Sequence, residues 1–231
     1  MAEQLSIAFL LFPNVTQLDL TGPAQVFAQL PGARIALVAK TRDPVPTDAG
    51  FALLPTATFA ETPRVDIICI PGGFGINDAI DDAEMLAWVQ QVAAEARWVT
   101  SVCTGALLLG AAGLLVGYHA TTHWTQHHYL AAFGAVPVQE RVVIDRNRAT
   151  GGGVTAGIDF ALVLAARLAG DDTAKMIELG LEYNPAPPFD TGSPDRAGPA
   201  LVEACRARAL RLAPDRGART LAAAGRLGVL A

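Results

Sequence analysis

Hydrophobic positions fall along this chain in short unbroken runs, separated by stretches with helical spacing. Residues 5–11, 34–39, 65–70 and 98–102 are nearly continuous apolar runs of strand length. That is the pattern of strands buried on both faces of a parallel sheet. Between and after them, the spacing predicts helices over 23–30, 82–96, 104–115, 123–133, 154–168, 171–183 and 199–212. The first of these starts at Thr21-Gly22-Pro23, with proline at the first helical position. Residues 13–20 then read as a polar loop. Residues 42–63, rich in Pro, Thr and Asp, read as short extended pieces and turns. Residues 138–144 and 148–150, joined by Asp145-Arg146-Asn147, read as a hairpin. Strands that alternate with helices imply an α/β fold with a parallel sheet covered on both faces. No internal repeat or low-complexity linker interrupts the pattern. One domain is expected over 1–231, with its core over about 5–212.

Composition narrows this picture. The chain has 231 residues, 52% of them hydrophobic and 17% charged. A chain of this length can bury roughly 70% of the surface its unfolded form exposes. Disorder is excluded by the low charge and high apolar content. The net charge of −5 gives no overall attraction to nucleic acid. Cys69, Cys103 and Cys205 are odd in number and widely spaced, which points to free thiols in a reducing, cytoplasmic setting. The N-terminus has neither the basic start nor the small-residue cleavage site of a signal peptide. Residues 98–139 carry no Asp, Glu, Lys or Arg. The stretch is broken by Thr100, Ser101, Thr104 and glycines and has no basic cluster at its flanks. A buried strand and buried helix explain it better than a membrane span.

The candidate chemistry centres on Cys103. It ends the strand Trp98-Val99-Thr100-Ser101-Val102 and precedes a helix opening Thr104-Gly105-Ala106. A strand-to-helix turn lies at the carboxyl edge of the sheet, where open α/β sheets bind ligands. The arrangement mimics a nucleophile elbow, with Cys in place of Ser. A helix N-terminus favours a thiolate by up to about 1 kcal/mol. Mostly ionising a thiol at pH 7 needs roughly 2.7 kcal/mol, so other donors must help. Asp19 leaves the same sheet edge after the first strand, flanked by Leu18 and Leu20, where a carboxyl group tends to keep its proton. Pro71-Gly72-Gly73 ends the third run, and glycines there let backbone N–H groups face a ligand. His123 and His127 are four apart, on one face of an α-helix, but no third metal ligand presents itself and no metal is expected. Gly151-Gly152-Gly153 lacks the residues of a nucleotide-binding loop. Cys69 and Cys205 are expected to be inert.

Together these residues resemble the DJ-1/PfpI superfamily. The matching segments are Leu18-Asp19-Leu20-Thr21-Gly22-Pro23, Ile70-Pro71-Gly72-Gly73 and Ser101-Val102-Cys103-Thr104-Gly105-Ala106. Ala120-Thr121-Thr122-His123-Trp124, 152–159 and 183–190 match as well. The resemblance implies a flavodoxin-like parallel-sheet sandwich of the class I glutamine amidotransferase-like type. Within the superfamily it resembles the branch that hydrates isonitriles, R–NC, to N-substituted formamides. It implies Cys103 as nucleophile, Asp19 as acid, Thr104 holding Asp19 or the substrate nitrogen, and Gly72 and Gly73 as donors to developing charge. It further implies a small apolar isonitrile substrate, no cofactor, and a homodimer. Amidase- and protease-like relatives place His directly after the cysteine, where this chain has Thr104. Glyoxal-directed members use Glu where this chain has Asp19. AraC-type regulators share the Thr-Thr-His-Trp stretch but carry further helix-turn-helix residues that this sequence lacks. Tyr118-His119 departs from the basic residue often found there. A ligand- or redox-sensing protein and a cysteine amidase or peptidase remain the alternative readings.

Overall fold

The computed structural model of the chain describes residues 4–62 and 64–228. β1 (Leu5–Leu10) leads into α1 (Gln17–Phe27) and β2 (Ala33–Ala39), then the short β3 (Val45–Pro46), β4 (Ala52–Leu53) and β5 (Ala57–Thr58). β6 (Ile67–Ile70), α2 (Ile76–Ala79), α3 (Ala83–Glu95), β7 (Trp98–Val102), α4 (Gly105–Ala111) and β8 (His119–Ala120) come next. A 3-10 helix (Trp124–Phe133) precedes β9 (Val136–Pro137), the hairpin of β10 (Val142–Asp145) and β11 (Arg148–Gly151), and α5 (Ala156–Ala169). Four more helices follow: α6 (Asp171–Gly180), α7 (Pro194–Ala197), α8 (Pro199–Leu212) and α9 (Arg216–Arg226).

The apolar runs make a seven-stranded sheet in the order β10-β11-β7-β6-β1-β2-β5. Every neighbouring pair is parallel except the β10–β11 hairpin. β6 is buried along its whole length, because helices cover both faces of the sheet. α1 packs on α5, and α3 on α4. Phe27 meets Phe160 edge-on at 5.8 Å, and Phe59 stacks on Trp88 at 4.7 Å. Such pairs add about 0.5–1.5 kcal/mol beyond their buried area. From β1 the chain winds outward to β2, then returns to β6 on the other side and continues to β7 and β11. The strand order therefore reverses between β1 and β6, which opens a crevice at their carboxyl ends. Asp19 follows β1, Gly72 and Gly73 follow β6, and Cys103 follows β7. The uncharged stretch at 98–139 proves to be a buried strand and a buried helix. Among the described residues no helix is long and apolar enough to cross a membrane.

Three local expectations change. α1 begins at Gln17, six residues before Pro23, so Asp19 sits in the first helical turn rather than in a loop. Its N–H donates to the Thr16 carbonyl at 3.1 Å. Pro23 deprives the Asp19 carbonyl of its usual intrahelical donor. The helix continues through it because Leu20, Gly22, Val26 and Phe27 are buried. Residues 124–133 wind as a 3-10 helix, at about three residues per turn. His123 caps that helix from outside, so the i,i+4 alignment of His123 with His127 does not arise.

The third change is α9, beyond the expected core. Arg216, Thr220, Ala223 and Ala224 recur at helical spacing and are buried. α9 packs against α2, α4 and the 3-10 helix. Arg219 pairs with Asp78 at 3.0 Å, and Arg226 pairs with Asp81 at 2.8 Å. Ala223 and Ala224 on the buried face of α9 are almost wholly enclosed, so added volume there has nowhere to go. Ala224→Leu should cost about 1–3 kcal/mol through overpacking. That lowers the melting temperature by roughly 2–4 °C per kcal/mol in a chain of this size. Ala222→Leu, on the exposed face, should stay within about 0.5 kcal/mol. Equal melting temperatures for the two variants in calorimetry would contradict the docking of α9.

Candidate active site

Cys103 stands at the turn from β7 into α4 with φ at +55°, in the left-handed region that a non-glycine residue seldom occupies. Both of its peptide groups are held. Its N–H donates to the Gly151 carbonyl at 3.1 Å, and its carbonyl accepts from Thr122 Oγ1 at 2.7 Å. The turn is tight because α4 starts directly against the end of β6. A Cβ on Gly105 would lie 2.1 Å from the Ile70 carbonyl oxygen. The thiol is thus aimed from a strained, fixed backbone, and the residue is only 5% exposed.

The segment after β6 joins Cys103's turn to the start of α1. Gly72 N–H donates to Asp19 Oδ2 at 2.8 Å, and the Gly72 carbonyl accepts from Thr16 N–H at 3.0 Å. Gly73 N–H donates to Thr104 Oγ1 at 3.0 Å, and the same hydroxyl donates to the Gly73 carbonyl at 3.3 Å. A Cβ on Gly72 would lie 2.6 Å from Thr104 N and Oγ1 and 2.8 Å from Asp19 Oδ2. Glycines at this strand end are expected to let both N–H groups face a ligand. Here they are turned inward, onto the acid and the threonine. Among the described residues no hydrogen bond joins Thr104 to Asp19 directly, and the two are linked through this segment.

Asp19 is fully buried, and its Oδ1 has no hydrogen-bond partner of good geometry among the described residues. Burial raises its pKa from 3.8 to about 7, with Gly72 N–H and the neighbouring Cys103 thiol opposing the shift. The Cys103 thiol is pushed well above its ordinary value, first by burial and then by the Asp19 charge. The Thr104 N–H and the Arg216 guanidinium pull it back. The helix end therefore acts in the expected direction but loses to desolvation. The resting sulfur is a thiol beside an acid that titrates near neutrality. Cys69 lies within β6, where burial lifts its thiol to about 12, far from reactivity at neutral pH.

Cys103 and Thr104 open onto a cavity of about 470 Å³. Phe74, Trp124, Val154 and Leu212 give it apolar walls, and His123 and Arg216 add polar ones. His123 is held neutral, its pKa lowered to about 4 by burial and by Arg216. Cys205, placed by the sequence on an outer helix, lies on α8 and lines the same cavity. Arg216 is the residue that reading the sequence missed. Its signal was the helical spacing of Arg216, Thr220 and Ala224, which a search for large apolar residues passes over. No group of three or more His, Cys, Asp or Glu side chains could hold a metal ion among the described residues.

Comparison with known proteins gives consistent matches. The model of the DJ-1/PfpI family matches residues 5–167. The chain is 56% identical over 205 residues to an isonitrile hydratase of Pseudomonas putida, covering 89% of this chain and 90% of that enzyme. It is 34% identical over 181 residues to the HTH-type transcriptional regulator GbdR of Pseudomonas aeruginosa, covering 74% of this chain and 49% of the regulator. A crystal structure of a ThiJ/PfpI family protein from Pseudomonas syringae superposes with a TM-score of 0.89 at 46% identity. That match covers 96% of this chain and 91% of the other.

The buried acid makes stability depend on pH. A pKa raised on folding contributes stability that is full below about pH 4 and is lost as pH rises through about 7. A rise from 3.8 to about 7 corresponds to roughly 4 kcal/mol. Asp19→Asn stays neutral and keeps the shape. It should match the wild type in thermal stability near pH 4 and exceed it by several degrees at pH 8. Equal differences at both pH values would remove the raised acid.

Proposed function

The chain belongs to the DJ-1/PfpI family, and from that premise we propose that it is an isonitrile hydratase, a lyase that converts R–NC and water into an N-substituted formamide. One observation carries the reading. A thiol and a carboxyl group that keeps its proton to about pH 7 adjoin each other beside an apolar cavity. The isonitrile carbon has a lone pair and becomes electrophilic only on protonation. Acid and nucleophile must therefore act on one atom, which this pair can do. The relative from Pseudomonas putida, similar along nearly its whole length, supports the same substrate class.

In the first step Asp19 gives its proton to the terminal carbon while Cys103 Sγ adds to it. The product is the thioimidate R–N=CH–S on the enzyme. Asp19, now a carboxylate, takes a proton from water as the water oxygen adds to that carbon. Asp19 passes that proton to the nitrogen, the new hydroxyl gives its proton to sulfur as the carbon–sulfur bond breaks, and R–NH–CHO leaves with the thiol restored beside the Asp19 carboxylate. Each turn consumes one water and leaves the pair with the one proton it began with, so no cofactor enters. Thr104 acts by fixing the Gly72–Gly73 segment, which holds Asp19 Oδ2 at 2.8 Å. The apolar walls of the cavity suit a small hydrophobic R group.

The attacking form of the pair is a thiolate and a neutral carboxyl, which holds one proton. That is the same protonation count as a thiol beside a carboxylate, the form reached above about pH 7. kcat/KM should therefore rise with pH through about 7 and fall at high pH, when the last proton leaves. A profile flat from pH 5 to 9 would contradict the shared proton.

Cys103→Ala should abolish formamide formation while the protein stays folded. More than a few per cent of wild-type turnover, measured as N-formyl product, would exclude covalent catalysis. Asp19→Asn should cost roughly 100- to 10,000-fold, the usual range for general acid–base catalysis. Thr104→Val should cost less. Groups that act as a unit are non-additive, so the double variant should be scarcely slower than Asp19→Asn alone. Full additivity of the two losses would place Thr104 outside the path to Asp19.

A further inference from the structure

Arg216 opens α9, yet its guanidinium reaches back to the crevice, 143 residues along the chain from Gly73. Nε donates to Asn77 Oδ1 at 2.6 Å, and Nη2 donates to the carbonyls of Gly73 at 3.1 Å and Phe74 at 3.3 Å. Nη1 has no protein acceptor among the described residues. The residue is only 7% exposed and lines the cavity with Cys103. Among the described residues it forms no salt bridge. A cation taken this far from water is costly unless something negative faces it.

The charged and titratable groups around Cys103 come from five places. Asp19 comes from α1, Arg216 from α9, and His123 from the cap of the 3-10 helix. Asp48 lies between β3 and β4, and Arg208 and Cys205 lie on α8. His123 is neutral, Asp48 accepts a hydrogen bond from Thr16 Oγ1, and Arg208 is exposed. Arg216 is thus the buried cation among them. The Cys103–Asp19 pair becomes negative when it gives up one of its two protons, and that is the form the reaction uses.

We propose that Arg216 is a positioning residue for this reaction. Its fork clamps the Gly73–Phe74 carbonyls, and so the segment that holds Asp19 and Thr104. Its charge favours the singly protonated Cys103–Asp19 pair. The proposal takes its rate readout from the isonitrile reading, but the charge on the pair can be read without any isonitrile.

The test compares Arg216→Met and Arg216→Lys with the wild type. Alkylation of Cys103 by iodoacetamide is followed against pH, by mass at the peptide that carries Cys103. kcat/KM for a neutral aryl isonitrile is measured over the same range. Arg216→Met should raise the alkylation midpoint by about one pH unit or more, since an opposite charge nearby moves a pKa by roughly one to three. It should also lower kcat/KM at neutral pH by at least about tenfold. Arg216→Lys keeps the charge but not the fork. Its midpoint should stay within a few tenths of the wild type while kcat/KM falls.

An unmoved midpoint in Arg216→Met would overturn the charge role and leave a structural clasp. Full activity in Arg216→Lys would overturn the clamp. If Arg216→Met does not fold, Arg216→Lys decides, and a midpoint raised by a unit or more overturns the proposal. A wild type that shows the Arg216-dependent midpoint but yields no formamide would sink the isonitrile reading and leave Arg216 in place.

Discussion

Gly72 has no room for a side chain, and the rest of the site depends on that closeness. Its backbone lies against the Asp19 carboxyl on one side and the Thr104 N–H and hydroxyl on the other. Three strand ends that are far apart in sequence can converge only if the middle one presents bare backbone. A larger residue would push α1 away from α4 and part the acid from the thiol. The N–H groups of Gly72 and Gly73 are committed to holding this contact. Their contribution to chemistry runs through the side chains they hold.

That closeness makes the protonation of the site a collective property. Burial alone would raise both Asp19 and Cys103; the Asp19 charge raises the thiol further, while the thiol beside the acid draws the acid down. The Gly72 N–H, the Thr104 N–H and Arg216 act against those shifts, and the balance leaves the acid titrating near neutrality. A carboxyl this poised is unfavourable for stability at physiological pH and useful for proton transfer to carbon. Strain at Cys103 belongs to the same compromise, since φ of +55° aims the sulfur but is not a conformation the residue would choose freely.

α9 completes the arrangement from outside the stretch that matches the family model, which ends at residue 167. Arg216, Arg219 and Arg226 all reach the segment between Gly73 and Asp81. The loop that follows β6 is therefore held on one side by the core and on the other by a helix of small residues and arginines. Acidic residues of that loop, Asp78 and Asp81, supply the partners for the two outer arginines. The innermost arginine donates to carbonyls and an amide oxygen, lies over the Phe74 ring and lines the cavity.

The alternation of apolar runs with helical spacing was enough to place the parallel sheet, because a strand buried on both faces has little choice but to be apolar throughout. The elbow at Cys103, Asp19 as the acid at the same edge, and the glycines after the third run were legible for a similar reason. Each stands at a strand's carboxyl end, where the fold class puts its crevice. What the sequence could not decide was direction and distance. Pro23 looked like a helix start because proline suits a first turn, yet burial of the residues around it carried α1 back to Gln17 and Asp19 into a helix. The N–H groups of Gly72 and Gly73 could have faced a ligand or the protein, and only the approach of α1 and α4 turned them inward. The helical spacing of Arg216, Thr220 and Ala224 marks a docked face, but nothing local marks the arginine on it as buried. Its place depends on a cavity wall built from residues far away in the chain. Local chemistry is written in order along the sequence, but desolvation, and the pKa values that follow from it, belong to the packed whole.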